Sequence, residues 1–148
     1  MNAETLFSIC NLTAMIGWIL LVLAPRWRWT SRLVLSGGIS LLLAAVYLVL
    51  IATTFGKAEG GFGTLADVMK LFSHPWVALA GWVHYLVFDL FVGSWEVRDA
   101  QSRGISHWLV IPCLLLTFLL GPIGFLLYHA VRRFTKPKSV EGNLLTNE

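Results

Sequence analysis

Residues 82–99 read WVHYLVFDLFVGSWEVRD and place charged groups inside an apolar helix. The stretch is hydrophobic enough to enter a membrane, yet it contains Asp89, Glu96 and Asp99. A charged side chain at the centre of a bilayer costs roughly 2.5–3.5 kcal/mol on insertion scales. Helices rarely carry such groups without a use for them, so we expect the functional site in this stretch.

Composition places the chain among integral membrane proteins. Of its 148 residues, 57% are hydrophobic and only 13% are charged, whereas a soluble domain has about 25% charged residues. The net charge of +3 comes from basic residues beside apolar runs. That arrangement is typical of juxtamembrane anchors and does not indicate a nucleic-acid partner.

Four apolar runs each approach the roughly 20 residues that cross a bilayer. Their backbone must be helical, because lipid offers no hydrogen-bond partners. We therefore expect an all-α membrane protein whose residues 1–135 form a bundle of four transmembrane helices. Residues 136–148 are expected to be a disordered tail. The expected spans cover residues 6–23, 33–54, 76–97 and 106–131.

The connection between the second and third spans contains a further helix signal. It reads TLADVMKLF at residues 64–72 and repeats apolar side chains at helical spacing. Leu65, Val68, Met69 and Phe72 share one face of such a helix. This pattern predicts a short helix that lies in the membrane interface.

The three acidic residues of the opening stretch share one side of its helix. At about 100° per residue, Asp89 and Glu96 differ by only about 20°, and Asp99 lies about 60° further round. This stripe is expected to face the bundle interior, since lipid exposure would be costly. His84 lies about 140° from Asp89 and so apart from the stripe. His107 begins the fourth span, a short loop after Asp99.

Paired carboxylates on a buried face suit general acid–base chemistry, in which one group donates a proton and another accepts it. Two other functional uses stay open, namely a divalent-metal site built with a histidine and a proton or ion relay. A purely structural arginine–carboxylate network is a fourth alternative, above all for Glu96 and Asp99. The candidate catalytic residues are Asp89, Glu96, Asp99, His84 and His107.

Polar and aromatic side chains inside the other spans are candidates for the wall of a binding pocket. The chain has no GxSxG, HExxH, Walker or Rossmann pattern, so no cofactor is predicted. A lipid-soluble molecule that enters sideways from the bilayer is the natural substrate of a small apolar bundle. The candidate substrate-binding residues are Asn11, Tyr47, Trp82 and Trp95.

The last two spans carry a family resemblance. HYLVFDLFVGSWEVRDA at residues 84–100 and GISHWLVIPCLLLTFLLGPIGFLLY at residues 104–128 resemble the abscisic-acid-deficient-four, or neoxanthin-synthase-like, family. The resemblance implies a four-span membrane protein, and its plant members are needed to form neoxanthin from violaxanthin. That isomerisation opens an epoxide and forms an allene without net redox change. It needs a proton donor for the epoxide oxygen and a base for a carbon-bound proton.

We therefore expect a membrane-embedded isomerase of a carotenoid-like or other isoprenoid lipid. The alternative is a non-enzymatic pigment- or lipid-binding subunit of a membrane complex. Expected partners are membrane lipids and the isoprenoid, together with a second copy of the chain or a larger complex. The chain shows no long N-terminal transit segment of the plastid kind, so the expected location is the bacterial inner (cytoplasmic) membrane.

Overall fold

The computed structural model describes residues 2–54 and 56–135, and this part of the chain is helical and has no β-strand. The all-α expectation is thereby confirmed. The expected tail at residues 136–148 lies outside the described residues. The helices follow in the order α1 (Ala3–Leu23), α2 (Arg28–Thr30), a π-helical turn (Ser31–Leu35), α3 (Gly38–Thr54), α4 (Leu65–Phe72), α5 (Pro75–Arg103), α6 (His107–Leu120) and α7 (Pro122–Phe134).

Three helical stretches are long and apolar enough to cross a membrane, as expected for the first three spans. They are Ala3–Leu23, Arg28–Thr54 and Pro75–Arg103. The last of them, α5, has 29 residues and is therefore about 43 Å long. It exceeds the roughly 30 Å of a bilayer's hydrocarbon core, so its polar last turns reach the headgroup region when it crosses a bilayer.

Helix α5 is the centre of the fold and contacts α1, α3, α4, α6 and α7. Its C-terminal end lies beside the end of α1, where the Gln101 side chain donates to the Pro25 carbonyl at 3.0 Å. The same end lies beside the start of the second long stretch, where Arg98 donates to the Leu35 carbonyl. Helix α1 thus runs parallel to α5, and α3 runs antiparallel to both.

The expected fourth span, residues 106–131, is not a single helix. α6 ends at Gly121, whose φ of 40° is left-handed, and Pro122 has no N–H to continue the helix. Gly124 then packs on Thr117 so closely that a Cβ at position 124 would collide with the Thr117 backbone. The sequence predicted a bend at this point, whereas the structure has a reversal. The bundle of four transmembrane helices is therefore not confirmed.

Helices α6 and α7 form a hairpin, because α6 begins and α7 ends at the same end of the bundle. At the start of α6, His107 Nε2 lies 2.9 Å from the Val22 carbonyl oxygen, near the end of α1. Near the end of α7, Arg132 Nε lies 3.1 Å from Asp99 Oδ2, near the end of α5. The turn between the helices reaches the middle of α5, where Gly121 lies against the Asp89 carboxyl.

Helix α4 forms at the position that its apolar periodicity predicts. Its N-terminus is capped by Thr64, whose hydroxyl accepts from Asp67 N at 3.1 Å and donates to Asp67 Oδ2 at 2.8 Å. The Phe72 ring packs against Gly81 of α5. Leu65 and Met69 remain exposed, which leaves an apolar face available to a membrane surface.

Candidate functional site

The three carboxylates of α5 all face the α6–α7 hairpin. Asp89 lies against Gly121 at the turn, Glu96 accepts a hydrogen bond from Thr117 of α6, and Asp99 accepts one from Tyr128 of α7. The geometry therefore agrees with one inward stripe. The surroundings of the three groups differ, and these differences determine what each can do.

Asp89 lines a cavity of about 200 Å³ between α1, α5 and α6. Its side chain is half-buried, and its Oδ2 atom is buried without a hydrogen-bond partner among the described residues. Most of the wall is aromatic or aliphatic. Besides Asp89, the cavity is lined by Asn11, Ala14, Met15, Trp18, Trp82, Tyr85, Leu86, Phe118 and Leu119.

Two of the expected pocket residues meet in this cavity. Trp82 Nε1 donates to Asn11 Oδ1 at 3.0 Å, and Asn11 Nδ2 donates to the Phe7 carbonyl at 2.8 Å. The asparagine therefore fixes the indole on the α1–α5 wall. The structure thus brings three of the candidate residues into one cavity, namely Asn11, Trp82 and Asp89.

Tyr85 is the cavity residue that sequence reasoning missed. It lies one helical turn before Asp89, and its hydroxyl donates to the Phe118 carbonyl at 3.1 Å. In a continuous helix that carbonyl would accept from residue 122, but residue 122 is a proline. Tyr85 thus satisfies a backbone group that the hairpin turn leaves unpaired. The available signals were the four-residue spacing to Asp89 and the proline four residues after Phe118.

Glu96 lies outside this cavity. Its side chain is completely buried, with 0% exposure, and Oε1 accepts from the Thr117 hydroxyl at 3.0 Å. The Oε2 atom lacks a hydrogen-bond partner in residues 2–54 and 56–135. Seven residues separate Glu96 from Asp89, a rise of about 10 Å along the helix. The two carboxyl groups therefore have separate surroundings, and a catalytic role for Glu96 stays a prediction.

Asp99 belongs to a charged network at the end of the bundle. Its Oδ2 atom accepts from the Tyr128 hydroxyl at 2.8 Å and from Arg103 Nε at 2.9 Å. The same oxygen forms an ion pair with Arg132, whose Nε lies 3.1 Å away. This is the arginine–carboxylate network that the sequence left open as a structural alternative, and it ties α7 to α5.

The remaining candidates lie at other places on the bundle. The His84 ring contacts Tyr47 of α3 and Phe88, with centroid distances of 5.4 and 4.7 Å, on a different side of α5 from Asp89. His107 lies at the α1 end. Trp95 packs on Tyr128 of α7. Catalytic or binding roles for these residues stay predictions, but none of them lines the cavity of Asp89.

Metal ligands are not grouped in the described part of the chain. Residues 2–54 and 56–135 contain no cluster of three or more His, Cys, Asp or Glu side chains that could hold a metal ion. Because Asp89, Glu96 and Asp99 have separate surroundings and His84 and His107 lie elsewhere, the carboxylate–histidine metal site has no geometric support there.

The structure defines a class of protein: an all-helical chain with membrane-length helices and a half-buried carboxyl group in a cavity of its bundle. The family model described as ABA DEFICIENT 4-like matches residues 5–128. The chain therefore belongs to the ABA4-like family, as the resemblance predicted. No curated protein and no solved structure matches the chain. The matched region contains every residue that lines the cavity.

Proposed function

We propose that the protein isomerises a carotenoid-like or other isoprenoid lipid in the cavity beside Asp89, within the inner membrane of a bacterium. The observation that carries this proposal is the buried Asp89 Oδ2 atom, which has no hydrogen-bond partner among the described residues and faces a largely apolar cavity. A carboxyl oxygen without a partner in an apolar site is available for proton transfer. Membership of the ABA4-like family supports the substrate class.

The cavity wall also supports a substrate that dissolves in lipid. Met15, Trp82 and Leu119 line it and are exposed on the outside of the bundle. When α1, the second long stretch and α5 cross the bilayer, this side faces lipid. A ligand then reaches Asp89 sideways from the membrane, without passing through water.

The number of crossings belongs to the same proposal. The three long helices cross the membrane, α4 lies in the interface, and the α6–α7 hairpin enters and leaves at the end where α5 finishes. The hairpin can remain at membrane depth because its turn is buried against α5. Its tip then forms the wall of the cavity through Phe118 and Leu119.

The proposed reaction uses two groups of this cavity. The Asp89 carboxylate removes a proton from the carbon next to the epoxide, the C–O bond of the adjacent epoxide carbon breaks as the allene forms, and the oxygen stays on the other epoxide carbon. The Tyr85 hydroxyl, which donates to the Phe118 carbonyl in the structure, turns to protonate this oxygen. A proton passed from Asp89 to Tyr85 restores both groups. No electrons are gained or lost, so neither an oxidant nor a cofactor is required. Glu96 acts here as a positioning residue, because it holds Thr117 next to Phe118.

The test is conversion of an epoxy-carotenoid by the purified protein in lipid nanodiscs. Violaxanthin is supplied, and chromatography separates it from its isomers. Asp89→Asn is expected to lower the rate at least about 100-fold, as for the loss of a general base. Glu96→Gln keeps an acceptor for Thr117 and should stay within a few-fold of the wild type. Asp67→Asn, on α4 outside the cavity, is the matched control.

An unchanged rate in Asp89→Asn would refute the acid–base mechanism. The pigment-binding alternative predicts a different result with the same preparations. In that case a carotenoid is retained stoichiometrically by the wild type and released unchanged. Mass spectrometry of the extracted lipids and the chromatogram of added violaxanthin together distinguish the two functions.

A further inference from the structure

A second cavity lies at the other end of the carboxylate stripe. It has a volume of about 380 Å³ and lies between the C-terminal ends of α5 and α7. Its lining consists of basic side chains. They are Arg103, His129, Arg132 and Arg133.

Three of the four side chains that line this pocket are held in place by neighbours. Asp99 Oδ2 accepts from Arg103 Nε at 2.9 Å and forms an ion pair with Arg132, whose Nε lies 3.1 Å away. Trp95 stacks on the His129 ring, with 5.4 Å between centroids and 20° between planes. The Arg132 guanidinium lies 5.7 Å from the centre of the same indole, within the range of a cation–π contact.

The pocket carries more positive than negative charge. Three arginines meet one carboxylate, and Asp99 approaches only the Nε atoms of Arg103 and of Arg132. The terminal guanidinium nitrogens of both, and the whole of Arg133, have no hydrogen-bond acceptor within the described residues. Each guanidinium offers five N–H donors in a planar fork, and this fork matches a phosphate group well.

Exposed aromatic side chains place this pocket at the level where lipid headgroups are expected. Trp108, in the first turn of α6, is 82% exposed, and Phe134, at the end of α7, is 86% exposed. Both belong to the same end of the bundle as the pocket. Exposed aromatic rings at the ends of apolar helices are typical of the membrane–water interface, where basic pockets between helices bind anionic headgroups.

We propose that this pocket binds a phosphate group, either that of an anionic lipid headgroup or that of a soluble phosphate. The bound anion bridges α5 and α7 through Arg103 and the two arginines of α7. It thereby neutralises the charge that Asp99 leaves uncompensated. This inference is independent of the isomerase proposal, because it concerns a different cavity and a different ligand.

Binding can be measured by native mass spectrometry of the full chain in nanodiscs. The discs contain phosphatidylcholine with or without phosphatidylglycerol, and inorganic phosphate is added in a separate arm. Arg133→Gln removes a pocket arginine that has no contact with Asp99. Arg26→Gln removes the same charge near the end of α1 and serves as the matched control.

The wild type is expected to retain phosphatidylglycerol, and Arg133→Gln to bind it about tenfold more weakly, as for the loss of one charge-assisted hydrogen bond. Arg26→Gln should bind like the wild type. Retention that persists in excess inorganic phosphate identifies the lipid as the source. Binding of inorganic phosphate without phosphatidylglycerol identifies the soluble anion. Failure of both to bind, or equal losses in Arg133→Gln and Arg26→Gln, would overturn the proposal.

Discussion

Tyr85 shows how one side chain can serve both the backbone and the site. Its hydroxyl satisfies the Phe118 carbonyl, which Pro122 leaves without a helical donor. The same residue lines the cavity that contains Asp89. The residue that holds the hairpin turn therefore also supplies the second proton-carrying group of the proposed reaction.

Tyr85→Phe is expected to lower the free energy of unfolding by roughly 1–2 kcal/mol, because the partly buried Phe118 carbonyl loses its donor. Thermal unfolding in detergent measures the change as a lower midpoint. Tyr47→Phe is the matched control, since the Tyr47 ring packs on His84 and that contact does not need its hydroxyl. Equal midpoints for the two variants would contradict a structural role for the Tyr85 hydroxyl.

Sequence reasoning located the acidic residues correctly on one face but could not assign their partners. The 100° helical rotation relates Asp89, Glu96 and Asp99 without any knowledge of the fold. Whether each oxygen meets a hydroxyl, an arginine or a cavity depends largely on residues distant in the sequence, on α1, α6 and α7. Thr117 and Tyr128 become neighbours of α5 only through the reversal at Gly121.

The α6–α7 hairpin is the element that sequence periodicity did not predict. Residues 106–131 are apolar enough for one crossing. Hydropathy does not show whether the chain continues through the membrane or turns back within it. A Gly-Pro pair bends a membrane helix as readily as it ends one. The distinguishing feature is the close approach of Gly124 to Thr117. Such contacts depend on three-dimensional packing, and the only sign of them in the sequence is a small residue.

Gly124→Ala tests the hairpin directly. Its methyl group would meet the backbone of Thr117, which cannot move aside as a flexible side chain can. Overpacking of this kind typically costs about 1–3 kcal/mol or more, so a clearly lower unfolding midpoint is expected. Gly61→Ala, where a Cβ has no neighbour within 4 Å, should unfold like the wild type. A Gly124→Ala protein as stable as the wild type would contradict the close contact between Gly124 and Thr117 on which the hairpin depends.

Charge is distributed unequally between the two ends of the whole molecule. Among the described residues, all the arginines lie at the end where α5 finishes, whereas Lys57 and Lys70 lie at the opposite end with Glu4, Glu59 and Asp67. With a fourth crossing, the α7 arginines would join the lysines and nearly cancel this asymmetry. The hairpin instead returns them to the first end. The arginines of that end are Arg26, Arg28, Arg32, Arg98, Arg103, Arg132 and Arg133.

The positive-inside rule then predicts that the arginine-rich end is cytoplasmic. This orientation can be measured with two single-cysteine variants, Lys57→Cys and Arg133→Cys. Intact cells are treated with a membrane-impermeant thiol reagent, and the labelling of each variant is compared. The natural thiols Cys10 and Cys113 are buried and give a low background. Lys57→Cys should be labelled and Arg133→Cys should be protected until the cells are opened. A fourth crossing would give both positions the same accessibility.

The contacts between α5 and the hairpin also constrain how the protein is made. Tyr85, Glu96 and Asp99 find their partners on α6 and α7, which leave the ribosome after α5. Until the hairpin docks, two carboxyl groups and a hydroxyl of a newly inserted helix lack those partners in lipid, an unfavourable state. A nascent chain that stops before α6 therefore leaves these polar groups without their partners. We expect the docking of the hairpin to pair them after α5 has entered the membrane.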